Sequence, residues 1–294
     1  MSDARDLTRA LGGRWYRCYG AAPCPVCQPQ QSKRQNALTL ADGRNGRLVL
    51  DCKKSACAFL DILTAAGVRA GDYTPPDAAM HAQREAEQRA VANKREAQAV
   101  QVWQDAQPIA GTVAEAYLRR RAIACPLPDT LRFHPACWHG PTAKRYAALV
   151  ALVEGGDGMA VHRTYLRPDG TGKGDIDPAK LMLGATSGGA VRLTYGPGPL
   201  VVAEGIETAL SLASGLLRTA STVWAALSTS GIRSLRLPDV PGRLTIAPDG
   251  DTAGREAANA LAARAHALRW QVSLLPAPDG RDWNDILNMK GESA

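Results

Sequence analysis

The chain has 294 residues, 45% of them hydrophobic, with 35 Lys and Arg against 28 Asp and Glu for a formal charge of +7. That length buries a real core and holds two or three small domains. No apolar run reaches the eighteen or more residues of a membrane span and MSDARDLTRALGG lacks the apolar centre of a secretion signal, so a membrane partner is excluded and a cytoplasmic protein is expected.

In a reducing compartment the seven cysteines read as metal ligands or small buried residues, not disulfides. Charge is unevenly spread. Residues 1–70 carry eleven Lys and Arg against five Asp and Glu, residues 105–198 eleven against eight, and residues 199–294 nine against ten. A basic front and a mildly acidic end suit a polyanion-binding part followed by a cation-binding part.

Residues 1–70 read as a β ribbon, with NALTL and RLVLD as short strands around the turn DGRNG. Within them Cys24 and Cys27 form one pair and Cys52 and Cys57 a second, about 25 residues on. Two such pairs on hairpins are what one structural tetrahedral zinc ion needs, and the metal would supply much of the folding energy of so small a segment. Cys18 is a spare that could replace one ligand, and the four-residue gap makes Cys57 the weakest of the four assignments; Cys125 and Cys137 read as small buried residues. Lys33, Arg34, Lys53 and Lys54 flank the ligands, and Trp15 or Tyr16 could stack on a base, although core packing is the default for both.

After TPPD the composition turns to Ala, Gln, Arg and Glu with few large apolar residues, which predicts a solvated helical linker over 71–104. Residues 105–198 read as a mixed α+β region: a helix at TVAEAYLRRRAI, then strands AALVALVEG and MAVHRTYLR joined at GGDG. Arg119, Arg120 and Arg121 read as a helix face. The segment DGTGKGD lacks the glycine spacing and the Ser or Thr of a phosphate loop, which excludes an ATPase of that kind. From 199 to 294 strands alternate with helices, LVVAE, TALSLASGLL, TVWAAL, RLTIAP, TAGREAANALAARAHAL and WQVSLL, which predicts an α/β domain with a mostly parallel, Rossmann-like sheet.

Ligands of open α/β sheets gather at the carboxyl ends of the strands. Glu204 follows LVVA, and Asp249 and Asp251 follow LTIAP, so three carboxylates are expected at one rim. Crowded like charges are tolerated when a cation lies among them, and magnesium held by carboxylates, water and phosphate fits. Asp282 and Asp285 in RDWNDIL lie three apart, and one of them could join. Helix capping is the alternative use of these residues, for Glu204 and Glu207 as for the Asp249-Gly-Asp251 corner.

AEGIETALSL followed by APDGDTAGREAA resembles the Toprim domain, in which a glutamate follows one strand and Asp-x-Asp another. With the upstream cysteine pairs, the basic middle region and the closing Arg-Asp-x-Asn-Asp segment, nearly the whole chain resembles DnaG-type primases of bacteria, phages and plasmids. The resemblance implies a DNA-dependent RNA primase that makes short primers on single-stranded DNA from ribonucleoside triphosphates for a mobile element, with a separate replicative helicase as partner. It implies Glu204, Asp249, Asp251 and Asp282 as catalytic residues that hold two or more magnesium or manganese ions. Lys180, in KGDIDPAKLMLGATSGGAVRL, matches a basic residue near nucleotide or template; Arg163, Lys173 and Arg192 are further candidates for phosphate contacts. The alternatives are a Toprim-type metal-dependent nuclease and a non-catalytic zinc-ribbon module that binds DNA.

Overall fold

The computed structural model describes residues 3–16, 18–30, 36–43, 47–69, 72–74 and 78–291, so Lys33 and Arg34 lie outside the described residues. The chain divides into two compact units, Met1–Val91 and Ala92–Ala294.

The first unit runs α1 (Ala4–Ala10), β1 (Arg14–Tyr16), β2 (Tyr19–Ala22), β3 (Leu38–Asp42), β4 (Leu48–Cys52) and α2 (Phe59–Ala65). Its four strands pair antiparallel in chain order. Asp3 starts α1 by accepting the amide of Asp6. The core under the sheet is small, with Leu7, Leu38, Leu40 and Ile62 its large members. A long helix, α3 (Ala78–Asp105), begins in this unit, where Arg84 pairs with Asp3 and Asp42. Its first turns are exposed as their composition implies, whereas Ala99, Val102 and Trp103 near its end pack into the core of the second unit.

In the second unit β5 (Gln107–Pro108) and α4 (Val113–Arg120) lead into β6 (Leu131–His139), β7 (Lys144–Val153), β8 (Ala160–Tyr165) and β9 (Lys180–Gly184). These five strands form an antiparallel sheet in chain order. The expected hairpin is there, Val153 opposite Ala160. Strands β6 and β9 carry no alternating apolar pattern, β6 being interrupted by His134 and Pro135, and the sequence does not announce them.

The second sheet follows: β10 (Val191–Thr194), β11 (Leu200–Ala203), α5 (Ile206–Ser211), β12 (Thr222–Ala225), α6 (Thr229–Ser234), β13 (Arg243–Ala247), α7 (Thr252–Ala267), β14 (Gln271–Leu274) and α8 (Trp283–Gly291). Its order is β10-β12-β11-β13-β14, parallel except for the edge strand β10. The α/β architecture expected of this part is therefore present. Helix α5 begins two residues before the predicted TALSLASGLL and passes through one π turn, Leu212–Leu216, where Gly215 at φ +106° ends the helical path. One face of the antiparallel sheet, through Leu131, Leu149 and Ala151, shares a core with Val201, Ile206 and Leu210 of the parallel one. That packing sets α4, β8 and β9 beside the rim where the carboxylates stand. Among the described residues no helix is long and apolar enough to cross a membrane.

Candidate metal centre and acidic site

In the first unit the Sγ atoms of Cys24, Cys27, Cys52 and Cys57 all lie within 4.8 Å of one another. Cys27 Sγ and Cys52 Sγ are 3.6 Å apart, against about 3.8 Å for the edge of a tetrahedron with 2.3 Å metal–sulfur bonds. The first pair is held by buried Gln28, whose Oε1 accepts the amides of both Cys24 and Ala37 at 3.0 Å. The four-residue gap of the second pair closes because Ala56 adopts φ +46° and returns Cys57 toward Cys52. Burial pushes the Cys52 thiol up, but amides of Ser55, Cys57 and Lys54 bring it down to about 6. Burial and the neighbouring thiols push Cys57 to about 12, and burial raises Cys24. Four thiolates cannot share this space without a cation, so the donor set fits a metal ion. Cys18 is exposed and stands outside the cluster, so it replaces no ligand. Cys125 and Cys137 are buried, as expected. Trp15 packs against the core, while Tyr16 is 42% exposed and stacks on Tyr19 at 5.5 Å.

In the second unit β11 and β13 are parallel neighbours, with Ala203 level with Ala247. Glu204 and Asp249 therefore leave the same rim side by side. Asp251 caps α7, its Oδ1 accepting the Gly254 amide at 2.6 Å, and Asp282 Oδ1 accepts the amides of Asn284 and Asp285 at 2.8 Å. The capping alternative is thus real for both, but each uses one oxygen, and among the described residues Oδ2 accepts no bond. Gly250 between the aspartates brings the Asp282 loop in. Its amide donates to Arg281 O at 2.8 Å, it accepts from Gly280, and a Cβ there would stand 1.9 Å from Pro278 O.

Burial raises the Glu204 carboxyl to about 7, with Asp249 and Asp251 adding to the rise and Lys180 opposing it. Burial likewise raises Asp249 to about 6, with Asp282 and Asp251 adding to it. The four carboxylates share one electrostatic neighbourhood, and a cation placed there would relieve their repulsion. They are nonetheless spread more widely than the thiols: among the described residues only the thiol cluster brings three or more such ligand atoms within 4.8 Å of each other.

Sequence reasoning missed Glu207. It is 4% exposed in the first turn of α5, where Tyr117 Oη donates to it at 2.8 Å and Lys180 Nζ at 3.0 Å, with Lys173 Nζ at 3.7 Å. Burial pushes this carboxyl up, but the two lysines outweigh it and leave it well below the usual carboxylate range. Buried His162, lowered to about 4 by burial and then by Lys180, stays neutral next to this clamp. Asn284 is also new. Its Nδ2 donates to Arg121 O at 2.8 Å and Ser211 Oγ at 2.9 Å, fixing the start of α8 against α4 and α5.

The basic candidates separate. Lys173 and Lys180 converge on Glu207 beside the rim. Arg163 lies on the other face of its sheet: Leu181 is its partner in register, and its Nη1 donates to Trp138 O at 3.2 Å. Arg192, on β10, covers the ring of Trp224 at 5.2 Å. Arg119 pairs with Glu115, and Arg121 lies over Tyr117.

Residues 199–293 match the Toprim domain family, and residues 93–193 match a domain family of unknown function, DUF7146. No curated protein matches the chain. Among solved structures the chain is similar to a DNA primase domain from Pseudomonas aeruginosa, at 21% identity over 67% of this chain and 75% of that one, TM-score 0.39. It is also similar to the RNA polymerase domain of Mycobacterium tuberculosis primase DnaG, at 20% identity over 69% and 80%, TM-score 0.40. The zinc-binding and RNA polymerase domains of the Aquifex aeolicus primase align over 100% of this chain and 84% of that one, at 13% identity and TM-score 0.43.

Proposed function

Since residues 199–293 are a Toprim domain, we propose that the chain is a DNA-dependent RNA primase that makes short primers on single-stranded DNA for a mobile element such as a phage or plasmid, beside a separate helicase. The observation that carries this reading is the rim of Glu204, Asp249, Asp251 and Asp282 with Lys180 nearby, where burial and the neighbouring carboxylates raise Glu204 and Asp249 and Lys180 opposes the rise.

In this reading the 3′ oxygen of one ribonucleotide forms a bond to the α-phosphorus of the next, and the bond from that phosphorus to the pyrophosphate oxygen breaks. Asp249, Asp251 and Asp282 would hold magnesium or manganese, which supplies charge neutralisation at the attacked phosphate and on the leaving group. Glu204, raised to about 7, either joins them or accepts the hydroxyl proton. Lys180 and Lys173, held by Glu207, offer cations to phosphate oxygens. The four thiols of the first unit would hold zinc, with Lys53 and Lys54 beside them to meet template phosphates.

The test supplies single-stranded template, labelled ribonucleoside triphosphates and magnesium. Short RNA products are expected, and Asp249→Asn is expected to abolish them while template binding persists. Cut template without RNA would make the protein a nuclease, and binding alone a non-catalytic module; either result ends the primase reading.

A further inference from the structure

The antiparallel sheet of the second unit packs its two faces into different cores. On β8, His162 points to the Lys180 and Glu207 side, whereas Val161 and Tyr165 pack with Ala99 of α3. Arg163, of the same parity as Val161 and Tyr165, belongs to the α3 face. Between α3 and the sheet on this face lies a cavity of about 540 Å³, inside the range of small-ligand sites.

Three guanidinium groups line it, Arg95, Arg145 and Arg163, with Asp105 the one carboxylate on its wall. Trp138, on the same wall, is 46% exposed although it sits within β6, and Arg145 stands over its ring at 5.9 Å. Leu181, Met182 and Leu183 add an apolar side. Arg163 is 7% exposed, and its buried Nε has no hydrogen-bond partner among the described residues. Holding a guanidinium group largely out of water is costly, and an anionic acceptor in the cavity that Arg163 lines would offset that cost. His134, whose imidazole burial pushes down, accepts the Ala136 amide on Nδ1 at 3.1 Å, which leaves Nε2 as its donor.

The cavity thus asks for two things in one ligand: anionic oxygens for the arginines and a planar ring for Trp138. Inorganic phosphate would satisfy the first and leave the tryptophan and the apolar side unused. We propose that this cavity seats one nucleotide unit, its base stacked on Trp138 and its phosphate held by Arg95, Arg145 and Arg163, the unit being either a free nucleotide or one residue of a single strand. The seat lies across the sheet from the acidic rim and does not depend on catalysis there. Stacking on an aromatic ring is sequence-tolerant, and phosphate contacts by arginine are salt-sensitive.

The test uses the full chain with its zinc retained and no added magnesium or manganese, so that the acidic rim holds no added divalent ion. AMP and UMP are titrated by calorimetry and fluorescein-labelled dT10 by anisotropy, against Trp138→Ala, Trp138→Phe and Arg145→Ala. The backbone oxygen of Trp138 that Arg163 and Tyr165 use is kept in every variant, and circular dichroism checks the fold. Trp138→Ala is expected to weaken the bound probe about tenfold, Trp138→Phe to retain most of the affinity, and Arg145→Ala to weaken binding with a shallower salt dependence. Losses for the mononucleotides identify a free nucleotide as occupant; losses for dT10 alone identify a strand. Binding of every probe unchanged in Trp138→Ala and Arg145→Ala, or absent from the wild type, overturns the proposal. Asp249→Asn, which tests the primase reading, is expected to leave this binding intact, so the two fail separately.

Discussion

In the first unit four sulfurs converge within 4.8 Å of one another, a donor set that fits a metal ion, while at the rim of the parallel sheet the other carboxylates raise Glu204 and Asp249 from a wider spread, with Lys180 opposing the rise. The cluster of thiols belongs to a unit whose core holds few large side chains, so a metal bound there would be part of the fold. The rim rises from a sheet buried on both faces, which stands without an ion. The same kind of group, a metal-ligand side chain near its neighbours, would therefore serve stability in one unit and leave room for hydrated metal and phosphate in the other.

The largest effect expected from that contrast is on the first unit. Structural zinc contributes about 10–16 kcal/mol in small zinc domains. Chelation, or Cys52→Ser, is expected to release the metal and strip amide protection from α1 and β2 to β4, while β11 and β13 keep theirs in hydrogen exchange. Protection of the first unit without metal would show that its core suffices alone.

Glu207→Gln comes next. It leaves Lys180 and Lys173 without their buried counter-charge. Breaking such a pair costs up to about 3–5 kcal/mol, and because both lysines are more than one-third exposed, a loss of about 2 kcal/mol in urea unfolding is expected. An unchanged midpoint would mean that water already screens the clamp.

Gly250→Ala is smaller and more local. The added Cβ would meet Pro278 O at 1.9 Å, so the loop that carries Asp282 must move. A loss of about 1–2 kcal/mol is expected, together with weaker stabilisation by magnesium in thermal unfolding. Full retention of the magnesium effect would detach Asp282 from the site.

These residues also show what the sequence could and could not disclose. The parallel sheet was legible because its strands are short apolar runs between helical stretches, and the positions of Glu204 and Asp249 followed from where such strands end. The pairing of the thiols was legible from their spacing, but the choice of Cys57 over Cys18 was not, because it depends on the backbone turn at Ala56. The Glu207 clamp was not, because Tyr117, Lys173 and Lys180 reach it from 90, 34 and 27 positions away, and a helix-capping role described the same residue equally well. Arg163 and Lys180 were grouped by charge; the two-residue period of neighbouring strands sends them to opposite faces, which only the register of β8 on β9 reveals.

The smallest expected effect is on pH dependence, and it bears most directly on the rim. Glu204 at about 7 and Asp249 at about 6 lie above the ordinary carboxylate values of 4.5 and 3.8. For a carboxyl raised by folding, the folded state prefers the protonated form, so its contribution to stability is full below about pH 4 and is lost as pH rises through 6 to 7. Magnesium binds the ionised form and so competes with these protons. The rise in Tm on adding magnesium is therefore expected to be slight at pH 5.5 and larger at pH 8. Glu204→Gln removes the group that titrates highest, and should raise the metal-free Tm at pH 8 while reducing the difference between the two magnesium shifts. A magnesium shift of equal size at both pH values would place the ion away from Glu204 and Asp249, and the rim would then be a set of capped helices and buried acids.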